Sequence, residues 1–248
     1  MLSECKSKLT QKKEMLSCPE LPTPKTVRLK FCKVGTLQYI SHLDLQRTFN
    51  RILVRACIPV WYTQGFNPHI KLVFSTPLSV GSESVCEYLD IRLSREMPLE
   101  EIKEKLNAEM TDEFYIMDVY EPKNDFSSIA YASYDIVIHT SGASQELAKE
   151  LESVLTTSPL NMIKKGKAGE REIDIIPLIK EVKAEYRAEQ DNIFLNVILS
   201  ASSTQYLNPE MLVTALKDKI GILSGDMTEE YYSILRTSQR KEDMSEFF

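Results

Sequence analysis

Residues 41–84 read SHLDLQRTFNRILVRACIPVWYTQGFNPHIKLVFSTPLSVGSES and hold the strongest structural signals in the chain. Ser41 followed three residues later by Asp44 is typical of a helix N-terminus, because the hydroxyl caps a free backbone N–H. The helix is predicted to run to about Cys57, since Pro59 cannot continue it. Its apolar residues at helical spacing form one core-facing side. They are Leu45, Phe49, Ile52 and Ala56.

A strand is predicted on each side of this helix. Val27–Val34 alternates between apolar and basic residues, which favours a half-buried strand with Arg28 and Lys30 on its polar face. The elements after the helix follow from the same signals: strand pieces at Val60–Thr63 and Ile70–Phe74, a strand at Val85–Leu93, a helix at Pro98–Met110 with Pro98 at its first position, and a strand at Phe114–Tyr120. The order β-α-β-β-α-β is that of the ferredoxin-like split unit.

The second half of the chain repeats this order of elements without repeating the sequence. Its predicted elements are strands at 131–140, 179–187, 193–200 and 227–236 and helices at 144–155 and 209–220. The predicted fold is therefore α+β, with two tandem ferredoxin-like units at 25–123 and 131–237. A polar segment or linker is predicted at 1–24, and a flexible tail at 238–248.

Charge is distributed unevenly along the chain. Residues 25–81 contain eight Lys and Arg and one acid, Asp44, whereas the whole chain of 248 residues has a net charge of −6. Such asymmetry suggests an anionic partner for a basic face of the first unit. No signal peptide and no apolar run of about 20 residues is present, so a cytoplasmic protein is expected. The five cysteines lack metal-binding spacing, and neither a metal nor another cofactor is predicted.

The predicted helix carries three arginines in line. Arg47, Arg51 and Arg55 recur every four residues, away from the apolar side, with no acid between them. A solvated helix face usually mixes the signs of its charges. Guanidinium groups match phosphate geometry, so these arginines are predicted to bind phosphates or an acidic partner, with Lys30 and Lys71 as further basic contacts.

The turn after the helix combines aromatic and polar residues. Gly65 and Pro68 favour a tight turn, and Gly81 marks a second one. Tyr62, Phe66 and Asn67 are predicted to contact bases, because exposed rings beside cations form stacking platforms. His42 and His69 are candidate acid and base groups, since imidazole titrates near neutral pH. Core packing of Trp61 and Phe66 and ordinary surface roles for the histidines are the alternatives.

Four motifs resemble a known bacterial family. YISHLDLQR at 39–47, GFNPH at 65–69 and PLSVGSES at 77–84, with IDIIP at 173–177, are similar to the radical-SAM-associated domain of unknown function. That domain occurs alone or fused C-terminal to a cobalamin-binding radical SAM module. The resemblance implies a radical SAM protein as partner. This chain lacks the C-x-x-x-C-x-x-C motif of the radical SAM module itself.

Together these features predict an RNA-binding or substrate-presenting accessory module that works with a radical SAM enzyme in tRNA or rRNA modification. The chain is not expected to be catalytic alone. Two alternatives stay open at this point. One is a metal-independent endoribonuclease using His42 and His69, and the other is a protein adaptor, including contact between copies of the chain in a homo-oligomer.

Overall fold

A computed structural model describes residues 19–157, 159–166 and 169–248. The chain is an α+β protein that divides into two compact units. Among the described residues, the first unit includes 19–80, Ser84–Asp125 and Phe248, and the second includes Gly81–Glu83 and those between Phe126 and Phe247. Most of the polar segment predicted at 1–24 falls outside the described residues. From Glu20 onward the chain is already a strand, seven residues earlier than predicted, so the linker does not extend to residue 24.

The first unit has the predicted order of elements. They are β1 (Glu20–Lys33), α1 (His42–Arg55), β2 (Val73–Phe74), β3 (Ser82–Arg95), α2 (Leu99–Asn107) and β4 (Phe114–Tyr120). The strands pair antiparallel in the order β4-β1-β3-β2. Pro98 is the N-cap of α2 rather than its first helical residue, because its backbone is extended (ψ 136°).

The helix α1 is held to the sheet by its apolar side. Leu45, Phe49 and Ile52 are buried in one cluster with Leu29 and Phe31 of β1. Phe49 contacts the ring of Phe31 edge to face, with a centroid distance of 5.0 Å. The predicted core-facing residues of this helix are confirmed, and the docked helix leaves its opposite side free for the arginines.

The other face of β1 is also buried in part, which the alternation of the sequence did not predict. Arg28 is 1% exposed and forms a two-pronged ion pair with Asp90 of β3, with N–O distances of 2.7 and 2.8 Å. Tyr120 of β4 lies opposite Arg28 in register, and burial raises the pKa of its hydroxyl to about 12. Arg28 therefore belongs to the interior and not to a basic surface.

The strand that was predicted in two pieces pairs with β3 only at its ends. Val60 bridges Leu93, and Val73–Phe74 pairs with residues 89 and 90 of the same strand. Between these contacts a bridge from Tyr62 to Ile70 closes a loop. The Gly-Phe-Asn-Pro-His turn thus projects from the edge of the first unit's sheet.

The second unit has the same order of elements with one addition. Its elements are β5 (Tyr131–His139), α3 (Gln145–Thr156), β6 (Asn161–Gly166), β7 (Gly169–Asp174), β8 (Ile179–Arg187), β9 (Asn192–Ser200), α4 (Pro209–Ile220) and β10 (Tyr231–Arg240). The main sheet has the antiparallel order β10-β5-β9-β8, and β6 and β7 form a separate hairpin. The Asp174 carboxylate accepts the backbone N–H groups of Leu160 and Ile176 and fixes the base of that hairpin.

The C-terminal residues fold back on the second unit instead of forming the predicted flexible tail. Arg240 bridges Glu246, and the Phe247 N–H donates to the Gln239 carbonyl at 2.8 Å. Phe247 is fully buried, with its ring 5.9 Å from that of Phe126. A single apolar residue near the end of a polar segment anchors it, which composition alone does not reveal.

A buried carboxylate closes the loop before β10. Glu230 accepts hydrogen bonds from the hydroxyl and N–H of Ser141, the N–H of Gly225 and the hydroxyl of Thr140. These donors, with the Ser141 hydroxyl first, lower the pKa of Glu230 from 4.5 to about 2. The carboxylate therefore favours the folded state only while it is ionised.

We expect Glu230→Gln to lower the melting temperature at pH 7. The side-chain NH2 of glutamine would face the N–H and hydroxyl donors that the carboxylate accepts. The pKa of Glu230 is depressed in the folded state. The higher melting temperature of the wild type is therefore present above pH 4.5 and is lost as pH falls toward 2. Melting curves of both proteins from pH 7 to pH 2 test this, with exposed Glu229→Gln as control. An unchanged difference across that range would contradict the assignment.

Candidate nucleic-acid interface

The arginine stripe (Arg47, Arg51, Arg55) lies on the exposed side of α1, as the sequence predicted. The helix begins as expected: the Ser41 hydroxyl accepts the N–H of Asp44 at 3.1 Å. At 1.5 Å per residue the stripe is about 12 Å long. An RNA strand of that axial length carries about three phosphates.

Two of the three arginines already have carboxylate partners. Arg47 contacts Asp44 at 3.0 Å, and Arg55 contacts Glu109, whose side chain is 11% exposed. Arg51 has no hydrogen-bond or ion-pair partner in the described part of the chain. Exposed ion pairs contribute only about 0–1 kcal/mol, so a phosphate can replace a carboxylate at Arg47 at little cost. Arg51 is therefore the arginine of the stripe that an anion can contact without displacing a carboxylate of the described residues.

The N-terminus of α1 is less available to an anionic ligand than predicted. Asp44 occupies its first turn and accepts from the Ser41 hydroxyl at 2.8 Å as well as from Arg47. The Ser41 hydroxyl, followed by Arg47, lowers the pKa of Asp44. The chain thus supplies its own carboxylate to the positive end of the helix dipole.

Beside the stripe lies a groove of about 280 Å³, here called the α1 groove. Arg51 and Arg55 line one side, and Leu37, Met110 and Phe114 line the other. Arg47 is not among its lining residues. The stripe is therefore divided between an open helix surface and a recess, a distinction that the sequence did not predict because the facing residues are distant along the chain.

His42 is exposed at the first position of α1, but it has little room beside it for a substrate. Its Nε2 accepts from the amide of Gln46 at 3.0 Å, and its ring lies 5.0 Å from that of Phe74. The recess that it shares with Glu87 and Thr76 measures about 20 Å³. That volume holds roughly one water molecule.

His69 closes the projecting loop. Its N–H donates to the Thr63 hydroxyl at 3.1 Å, and its carbonyl accepts the Thr63 N–H at 2.9 Å. Its Nδ1 lies 3.1 Å from the Asn67 carbonyl and 3.1 Å from the Thr63 hydroxyl, so this nitrogen is engaged within the loop. In the described residues His42 and His69 share no hydrogen bond, ion pair or ring contact. Their role as an acid–base pair remains a prediction.

The loop exposes its aromatic side chains. Phe66 is wholly exposed and Tyr62 is 44% exposed, while Trp61 is partly buried beside Arg92, 5.6 Å from guanidinium carbon to ring centroid. Gly65 has φ +134°, which only glycine adopts readily, and a Cβ there would meet no atom within 4 Å. Asn67, Pro68 and Lys71 are exposed on the same segment.

One predicted contact, Lys30, and one predicted turn residue, Gly81, lie elsewhere. Lys30 alternates with the core residues Leu29 and Phe31, so it lies on the sheet face opposite α1, with its ammonium 5.9 Å from the Tyr88 ring. Gly81, with φ +88°, belongs to the second unit. The candidate interface is thus formed by α1 and the loop at 62–71.

The basic segment does not produce a basic first unit. Residues 25–125 contain 13 Lys and Arg and 14 Asp and Glu, because the segment folds against the acidic residues of β3, α2 and β4. Lys25, for example, contacts Glu121 at 2.7 Å. Lys33 is buried, and its ammonium donates to the Gln38 carbonyl at 3.2 Å. Within the arginine stripe, Arg51 alone has no carboxylate partner among the described residues.

Metal and membrane features are absent from the part of the chain that the structure describes. No three His, Cys, Asp or Glu side chains in residues 19–157, 159–166 and 169–248 are close enough to bind a metal ion. Over the same residues no helix is both long and apolar enough to span a bilayer.

The chain is thus a two-unit α+β protein with an arginine-lined helix and a projecting aromatic loop. It belongs to the family of uncharacterised proteins conserved in bacteria (DUF2344), whose family model matches residues 26–209. No curated protein matches the sequence.

Solved structures are only remotely similar. A chain of the crystallised Cbf5-Nop10-Gar1 complex is 12% identical with a TM-score of 0.45, and the match covers 92% of this chain and 57% of that one. DyPB from Rhodococcus jostii RHA1 is 11% identical with a TM-score of 0.20, over 88% of this chain and 94% of that one. Likenesses this remote indicate neither a fold nor a function.

Proposed function

We propose that the protein is an RNA-binding module that presents RNA to a separate modifying enzyme. The observation that carries the proposal is Arg51, a guanidinium exposed between Arg47 and Arg55 with no partner in the described residues. The planar fork of arginine suits phosphate oxygens, and two neighbouring arginines would extend the contact along one strand. The wholly exposed Phe66 supplies a ring on which a base can stack.

The architecture supports this proposal. We infer two ferredoxin-like units, because in each the fourth strand pairs with the first and the third lies between the first and the second. Four-stranded sheets of this kind occur in RNA-binding domains, although a fold alone does not determine function. A radical SAM enzyme as the partner rests on the motif resemblance described above.

A gel-shift assay with labelled total bacterial RNA at several salt concentrations tests the proposal. We expect a salt-sensitive shift with no new RNA fragments. Replacing all three arginines of the stripe with alanine should weaken binding at least about tenfold and lower the slope of log affinity against log salt by about two. Lys149→Ala, which removes an exposed cation from α3, is the matched control and should change neither.

Other outcomes of the same assay would contradict the proposal. New fragments that disappear with His42→Ala would favour the endoribonuclease. A complete lack of binding at low salt would exclude the RNA module and favour a protein adaptor. If the triple variant and Lys149→Ala lose the same RNA affinity, RNA binds by overall charge and not through α1.

A further inference from the structure

We propose that the α1 groove binds one unpaired nucleotide, with its base in the recess and its phosphate at Arg51. This inference rests on the proposed RNA function, but it assigns a defined pocket and a ligand class to the site. The groove's volume of about 280 Å³ is near the lower end of the roughly 300–1,000 Å³ found for small-molecule sites. It therefore suits a single ring system better than a helix or a peptide strand.

The floor of the groove is apolar. Leu45 and Ile52 come from α1, Leu37 from the short helical turn at 35–39, Met110 from the segment after α2, and Phe114 from the start of β4. A flat ring buries apolar area on such a floor, at about 25 cal/mol per Å². The floor therefore favours the base rather than the sugar of a nucleotide.

The charges around the groove favour an anion. Lys33, Arg51 and Arg55 line it, and Glu109 is its one carboxylate. Glu109 is already bound by Arg55, while Lys33 donates to main-chain carbonyls. Arg51 is left to bind the ligand, and its guanidinium suits a phosphate group.

The walls of the groove are fixed before any ligand binds. The Glu113 carboxylate accepts the N–H of Thr36 at 3.1 Å and its hydroxyl at 2.6 Å, which ties the 35–39 turn to the segment after α2. Gly35, at φ +61°, permits this approach, since a Cβ there would lie 2.4 Å from a Glu113 carboxylate oxygen. Such preorganisation lowers the entropic cost of binding.

Hydroxyl groups at the rim can contact the edge of a base. The Thr48 hydroxyl donates to the Asp44 carbonyl at 2.8 Å, so its oxygen remains an acceptor. Thr111 is exposed on the opposite side of the groove. Hydrogen bonds from these groups would orient the base.

The test is titration of the full-length protein with the four nucleoside 5′-monophosphates, followed by ligand-observed NMR and calorimetry. Ribose 5-phosphate and inorganic phosphate serve as partial ligands. We expect at least one monophosphate to bind about tenfold or more tightly than ribose 5-phosphate, with its base protons closest to the protein. Equal binding of monophosphate and ribose 5-phosphate would overturn the proposal, because the recess would then contribute nothing.

Variants localise the site. Arg51→Ala should weaken monophosphate binding by about tenfold or more, since a hydrogen bond to a charged group is lost. Arg47→Ala removes the same charge one turn away, outside the groove, and should change binding less than twofold. Thr111→Trp, at the exposed rim, should block the groove without changing the charge. Equal effects of Arg51→Ala and Arg47→Ala, or none from Thr111→Trp, would overturn the proposal.

A second binding experiment, with RNA hairpins, separates this inference from the proposed function. A short hairpin with one bulged nucleotide should bind more tightly than the same hairpin with an abasic bulge, and Thr111→Trp should abolish the difference. RNA binding with no such difference and no monophosphate binding would refute the groove and leave the RNA module. Monophosphate binding without RNA binding would refute the module and assign the groove to a free nucleotide.

Discussion

Replacing Phe49 with alanine should lower the free energy of unfolding of the first unit by about 3–5 kcal/mol. The Phe49 side chain is fully buried, and its ring lies 5.0 Å from that of Phe31 and 5.1 Å from that of Phe114. Truncation leaves a cavity where three rings meet edge to face, and each such pair contributes about 0.5–1.5 kcal/mol beyond its buried area. The loss is large beside the total stability of a domain, about 5–15 kcal/mol.

The measurement is urea unfolding followed by tryptophan fluorescence. The chain has one tryptophan, Trp61, and it lies in the first unit, so the signal reports on that unit alone. Val54→Ala is the matched control, because Val54 is on the exposed side of the same helix and should cost less than about 0.5 kcal/mol. A loss below about 1 kcal/mol for Phe49→Ala would mean that α1 does not depend on this ring for docking.

This prediction also links stability to the candidate site. α1 carries the arginine stripe and one wall of the α1 groove. Detachment of this helix from the sheet would therefore disrupt both. RNA or nucleotide binding by Phe49→Ala should therefore weaken in parallel with unfolding as urea is added. Arg51→Ala, by contrast, should lose binding while its unfolding midpoint stays unchanged.

The local parts of this structure were predictable from sequence. Ser41, Asp44 and Pro59 determine where α1 begins and ends, and the helical spacing of Leu45, Phe49 and Ile52 determines which side is buried. These are interactions within about four residues, which a sequence displays directly. Because the arginines lie on the side away from that face, their exposure followed as well.

Features that depend on distant partners were not predictable. Alternation in β1 places Arg28 on the face away from the helices, but it does not tell whether that face is covered. The α1 groove joins Leu37, Arg51 and Met110, which no spacing rule connects. Likewise, a count of charges along residues 25–81 cannot show that acids from later strands will neutralise them.

Asp90→Asn should destabilise the first unit by about 3–5 kcal/mol, because it removes the negative charge that the Arg28 guanidinium contacts through both carboxylate oxygens. Arg28 is 1% exposed, so its guanidinium cannot recover the lost interaction from water. A buried charge left without its counter-ion costs far more than an exposed one. The neighbouring Tyr120 cannot compensate, since burial raises the pKa of its hydroxyl to about 12 and keeps it neutral.

The matched variant replaces both partners. Arg28→Met together with Asp90→Val removes both charges and should recover most of the stability lost in Asp90→Asn, because apolar side chains bear no desolvation cost. Urea unfolding monitored by Trp61 fluorescence gives the free energies of unfolding of Arg28→Met, of Asp90→Val and of the double variant. If the loss of unfolding free energy in the double variant equals the sum of the two single losses, Arg28 and Asp90 act independently. Recovery would instead show that Arg28, although it belongs to the apparently basic segment, is a paired interior charge and not part of a basic surface.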